Sequence, residues 1–126
     1  MIATPQTVQA VRWLSTPELL VIASVIVGQM DDKWAECPHV GVDASRIRSS
    51  HTPLIKLYID VEGTTPVERA AWLADVARVV GEPAPAPSPG SGIASLYHRD
   101  WQGTGVTVDA QAVVATPTRS YSRANR

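Results

Sequence analysis

Between Thr52 and Gly81 the spacing of apolar positions changes from a period of two to a period near that of a helix. Ile55, Leu57, Ile59 and Val61 alternate with Lys56, Tyr58 and Asp60, which predicts a half-buried strand with its branched side chains toward a core. The run Gly63-Thr64-Thr65-Pro66-Val67-Glu68 then opens a helix. Thr65 at the N-cap with Glu68 three residues on is a capping box, worth about 1 kcal/mol, and Pro66 at the first helical position gives up no needed donor. On a helical wheel over 67–80, Val67, Ala70, Leu73, Ala74, Val76, Ala77 and Val80 fill one half, and Glu68, Asp75 and Arg78 form a polar strip. Gly81 stands where a left-handed residue closes a helix, and Pro83 blocks continuation. This helix is expected to lie across the Ile55, Leu57 and Ile59 side of a sheet. Trp72 and Val79 fall outside the main arc on one line, which reads as a second contact stripe for the N-terminal helix or a partner.

Elsewhere the dipeptide Thr-Pro punctuates the chain at 4–5, 16–17, 52–53, 65–66 and 116–117. The first copy precedes Val8, Val11 and Leu14, three apart on one face, and predicts a short helix over about 5–14. The second, with Glu18, opens an apolar segment over 19–30 in which Ser24 is the sole polar residue between 19 and 27. Periodicity does not separate a buried helix from a buried strand there. The proline start and Glu18 in the first turn favour a core helix, apolar on most sides and ended by Cys37-Pro38. A membrane-surface helix would need a basic polar face, whereas Asp31, Asp32 and Glu36 crowd its end.

Weak alternation from His39 to Asp43 predicts strands over about 39–48 and 53–61, paired as an antiparallel hairpin. A second hairpin is predicted from 93–101 and 105–115, with Gln102-Gly103-Thr104-Gly105 as its turn. Val106, Val108, Ala110, Ala112 and Val114 share one face of its second strand, and Thr107, Asp109 and Gln111 the other. Residues 82–92, rich in Pro, Gly and Ser, form an internal connector on an extended polyproline path. The expected fold is α+β: N-terminal helices, then β-hairpin, helix and β-hairpin, giving a four-stranded, mainly antiparallel sheet covered by helices. It occupies 1–115 as a single domain, and 116–126 is expected to be a mobile polar tail.

Composition narrows the classes without choosing among them. The 126 residues, 44% hydrophobic and 18% charged, suit one globular domain with a real core. A formal net charge of −1 supplies no general attraction to nucleic acid or to an anionic membrane. Cys37 is the only cysteine, so no disulfide closes within the chain and a reducing, cytoplasmic location is expected. No targeting pattern is visible, and the apolar run 19–27 is far too short to span a bilayer. Lys33 and Lys56 are the only lysines, arginine is favoured, and phenylalanine is absent. In texture, a Thr-Pro-capped helix following an Ile-Lys-Leu-Tyr-Ile strand in an arginine-rich chain resembles small proteins of GC-rich actinobacteria and their phages. That resemblance implies an origin and no activity.

Three chemistries can be weighed. Cys37, His39, His51, His98 and Asp100 are ligand types suited to zinc. No Cys-x-x-Cys occurs, however, and the five would have to converge through the fold, so no metal or other cofactor is expected. Nucleophilic catalysis has no Gly-x-Ser-x-Gly elbow, His-Glu-x-x-His or phosphate-cradling loop to stand on. The open sheet face is the third. With Leu96 turned toward the core beside Ile55 and Val108, the opposite face would carry Lys56, Tyr58, Tyr97, Arg99 and Trp101. Aromatics beside cations on a sheet form the stacking surface used by single-strand nucleic-acid binders, and Arg119, Arg123 and Arg126 would add backbone attraction. Asp60 and Asp109 lie on that face too, and a one-residue slip would turn Tyr97 and Trp101 inward.

The reading is a small non-catalytic protein-interaction or structural accessory protein that binds a protein partner or itself, as a homodimer in the simplest case. A nucleic-acid-binding module is the alternative and a metal-dependent enzyme the third. The expected contact residues are Lys56, Tyr58, Tyr97, Arg99 and Trp101, with Trp72 and Val79 as a second stripe.

Overall fold

The computed structural model describes residues 14–116. Their order is α1 (Thr16–Gly28), a 3-10 turn (Asp32–Trp34), β1 (Val40–Arg46), β2 (Pro53–Ile59), α2 (Pro66–Val80), β3 (Ile93–His98), a second 3-10 turn (Trp101–Gly103) and β4 (Thr107–Val113). The helix predicted over 5–14 lies outside the described residues except for Leu14, as does the arginine-bearing tail beyond 116. The fold is α+β, with an open four-stranded sheet in the order β1-β2-β4-β3.

Both hairpins form as expected, β1 with β2 and β3 with β4. They join differently from a simple antiparallel sheet: β2 and β4 run parallel at the centre, so the sheet is mixed. The connector explains how. At one end of the molecule Arg69, in the first turns of α2, donates to the carbonyl of Val113 at the end of β4. At the other end Glu82, just past α2, holds His98 at the end of β3. The chain leaving α2 must therefore travel back the length of the sheet before β3 begins. Extended backbone over 82–88 covers about 20 Å at polyproline rise, matching the length of a helix of 15 residues. With β3 thus antiparallel to β2, the tight turn into β4 makes β4 parallel to β2.

Helix ends follow the predicted chemistry with one shift. Thr65 and Glu68 form the reciprocal capping box at 3.1 and 2.8 Å, and Gly81 closes α2 at φ 85°. At α1 the cap is Ser15, one residue before the expected Thr16, again with Glu18 as its reciprocal partner.

The core gathers Ile55, Leu57 and Ile59 of β2, Ala94 and Leu96 of β3 and Val108, Ala110 and Ala112 of β4 beneath both helices. The buried side of α2 is rotated from the expected arc. Arg69, Trp72, Leu73, Val76, Ala77 and Val80 face inward, while Val67, Ala70 and Ala74 face water. Burying Trp72 and Leu73 removes far more apolar area than burying two alanines, so the larger side chains set the rotation.

Arg69 is the unexpected member of this core, only 4% exposed. It donates through Nε to the Val113 carbonyl at 2.5 Å, and through Nη1 to the carbonyls of Val61 and Thr64 and to Thr64 Oγ1. No described carboxylate pairs with it. The guanidinium ties the 61–64 turn, the start of α2 and the end of β4 into one unit.

Candidate interaction surfaces

Both helices cover the same side of the sheet, α1 over β1 and β2 and α2 over β4. No described helix covers the opposite side, and the strand registers place its side chains in rows. One row crosses all four strands as Asp43, Lys56, Asp109 and Tyr97. The next reads Gly41, Tyr58, Gln111 and Ser95. Tyr58 and Tyr97 are 44% and 54% exposed and stand on either side of β4, so Asp109 and Gln111 lie between two tyrosines. The Tyr58 ring rests against the bare backbone of Gly41 on the edge strand, in the space a Cβ there would fill. Asp109 is half-buried in this row. Burial raises its carboxyl above the usual value, and the neighbouring Lys56 ammonium lowers it in part.

Lys56, Tyr58, Tyr97 and Arg99 are all exposed, and the registers put Lys56, Tyr58 and Tyr97 on the open face as the alternation predicts. Trp101 is a correction, buried to 5% exposure. Strand alternation ends at His98, and Asp100 takes a left-handed conformation at φ 55°. That turn rotates the following residue into the core, where the Trp101 amide donates to the Val106 carbonyl at 2.8 Å. Trp72 is a second correction. At 2% exposure it belongs to the core and lines a cleft with Val27 and Met30, and Val79 packs partly buried against that core. The second stripe is therefore a contact within the molecule.

The ligand-type residues do not converge. Among the described residues no three His, Cys, Asp or Glu side chains form a metal-holding group. His98 Nδ1 meets Glu82 Oε2 at 2.6 Å, Asp100 accepts from the Gly105 amide, and His51 sits in the β1–β2 turn at φ 60°. His39 packs its ring against Gly63 beside Asp60 and Glu62. Cys37 lines a cleft of about 200 Å³ with Val27, Met30, Trp34, Val42, Leu57 and Trp72. That space is small and apolar beside the several hundred Å³ of an ordinary ligand site.

One surface escaped the sequence reading. The sequence predicts for α1 a core helix apolar on most sides, and only Leu19, Ala23 and Ile26 of its length are buried. Leu20, Val21, Val25 and Val27 are exposed, as is Val42 on the neighbouring strand β1. The signal was present in the absence of any polar stripe over 19–27. A helix with one face on a sheet and apolar residues all round must show some of them to water.

Comparison with protein-family models, curated proteins and solved structures gives no match to this chain.

Proposed function

We propose that the chain is a non-catalytic protein-binding module whose contact surface is the open face of the sheet, centred on Tyr58 and Tyr97. The observation that supports this is the one-sided placement of the helices, which leaves two exposed tyrosines flanking a polar strip on a rigid four-stranded platform. Tyrosine offers a large contact area at low entropic cost together with a hydroxyl for hydrogen bonding, and it recurs at the centre of protein interfaces.

A protein surface fits this face better than a nucleic acid does. Across the first row the charges read Asp43, Lys56, Asp109, so a single cation lies between two carboxylates. A phosphate chain laid over the tyrosines would meet negative charge, whereas phosphate neutralisation supplies most of the affinity of nucleic-acid binders. A polar protein segment can answer both signs at once.

The test pairs quantitative affinity capture from the source cell with a Tyr58→Ala/Tyr97→Ala variant checked for native fold. The reading expects specific partners to be lost with the two rings while single-stranded DNA and RNA are not retained at physiological salt. An unchanged set of captured proteins, or salt-dependent retention of a single strand that both tyrosines support, would overturn it.

A further inference from the structure

We infer that β1 pairs antiparallel with the β1 of a second copy about a two-fold axis at Val42, so that α1 packs against its symmetry mate across the join. The inference uses the edge strand and the outside of α1 and stands independently of the open face.

Strand order leaves β1 at one edge of the sheet, with no described strand on its outer side. Such an edge is a template for another strand. Its residues are self-complementary in one register. About Val42, Val40 meets Ala44 of the partner subunit, Gly41 meets Asp43 of the partner subunit, and Val42 meets its own mate. Val40, Val42 and Ala44 pair across β2 with Ile59, Leu57 and Ile55, so this register keeps apolar side chains on the helix-covered side in both copies. Moving the axis to Asp43 would set two carboxylates face to face, and a one-residue slip would put the helices of the two copies on opposite sides.

Helix placement fits the same axis. α1 packs on both β1 and β2. Above the boundary of those strands its axis stands about one strand spacing, ~4.8 Å, from the symmetry axis. The two α1 helices would then lie about 10 Å apart, at the distance of ordinary helix packing.

Exposed apolar side chains stand beside the join. Leu20, Val21, Val25, Val27 and Val42 are 37–62% exposed. At 100° per residue Leu20 and Val27 share one flank of α1, while Val21 and Val25 lie further round on its outer side, so one of these two groups, together with Val42, faces the mate. The opposite edge, β3, lacks this match, because its helix-side residues Ala94 and Leu96 are already buried.

The experiment is sedimentation velocity on the full chain from about 1 to about 100 µM, with circular dichroism to confirm that each variant folds. A dimer is expected, weakened at least tenfold by Val42→Asp. As an independent measurement, Val42→Cys in a Cys37→Ser background should give a disulfide-linked dimer on mild oxidation, since facing residues of an antiparallel pair lie about 4.5–5.5 Å apart at Cα. Val67→Cys in the same background, exposed on the first turn of α2, should not. A monomer throughout the range, or a dimer that Val42→Asp leaves intact and Val42→Cys does not cross-link, would overturn the inference. The Tyr58→Ala/Tyr97→Ala variant should remain dimeric, which separates this outcome from the fate of the open-face reading.

Discussion

The ring of Tyr58 lies so close over Gly41 that a Cβ built on the glycine would stand 2.3 Å from Cζ. The two residues are register partners on the open face, with Gly41 on the edge strand. An aromatic ring covering a strand glycine shields backbone that has no side chain of its own. Gly41→Ala should therefore expel the ring, and the strand gains little, because the new methyl replaces a contact already made. The expected stability loss is about 1 kcal/mol, similar to that of Tyr58→Ala. The double variant should be no worse than Tyr58→Ala alone, a non-additivity that a double-mutant cycle by urea denaturation reads directly. Additive losses would mean that the two sites act separately.

Arg69 invites a second test. Its donors are shared among carbonyls of Val61, Thr64 and Val113, which no single-headed side chain reaches together. Arg69→Met keeps much of the stem's apolar volume and removes every donor. The Thr64 and Val113 carbonyls lose this donor, while that of Val61 still accepts from Thr64, and a loss of about 3 kcal/mol is expected, with the melting temperature falling by roughly 10 °C or more. Arg69→Lys should recover only part of this, since one ammonium does not span the 61–64 turn and β4 at once. A methionine variant as stable as the parent would show that the network is incidental.

How much of this was legible follows from the range of each interaction. The capping box at Thr65 and Glu68 and the alternation through Ile55, Leu57 and Ile59 are local, and both were readable; so was the grouping of Lys56, Tyr58 and Tyr97 on one face. The parallel pairing of β2 with β4 was not, because it depends on where a connector of ordinary-looking prolines delivers β3. Trp101 was misplaced because a period of two was extended past His98, and Asp100 breaks it with a left-handed backbone that any aspartate can adopt at some cost. Arg69 was unreadable in another way. Its burial depends on three carbonyls brought from 61, 64 and 113, and nothing in a helical wheel marks an arginine as internal.

Asp109 predicts the pH response of the open face. Its raised carboxyl holds a proton more tightly in the folded chain than in the unfolded one. The stability tied to this group is therefore fully present below the ordinary aspartate value of 3.8 and declines as pH rises through the folded value. Above that, the native state carries a partly buried carboxylate. Asp109→Asn should stabilise the protein near neutral pH, by no more than about 1 kcal/mol because the group keeps solvent contact. The gain should vanish below about pH 3.8, where the parent side chain is also neutral. Lys56→Met should act in the opposite sense, raising the carboxyl further and lowering stability near neutrality. Denaturant melts of the three proteins across that range check both signs.

The connector carries the last prediction. Residues 82–93 start where Glu82 meets His98 and end where the Ile93 carbonyl accepts from Ser88 and Gly92 accepts from Val114 and donates to Ser88. Those anchors lie at opposite ends of β3, so the segment has a fixed span to cover. Prolines at 83, 85 and 87 hold 82–88 near its full extension, at about 3.1 Å per residue, with Pro89 in the turn that follows, and they lower the entropy of the unfolded chain. Removing Ala84 and Pro85 together shortens the reach by roughly 6 Å, more than one strand-to-strand spacing. Either the Glu82–His98 contact opens or the turn at 88–92 pulls away from β4, and a loss of several kcal/mol is expected in place of the near-neutral effect of trimming a slack loop. Replacing Pro83, Pro85 and Pro87 with alanine keeps the length and should cost only about 1–2 kcal/mol, through the added freedom of the unfolded chain. If the deletion proved no more harmful than the alanine replacements, the segment would be slack, and the parallel pairing of β2 with β4 would need another cause.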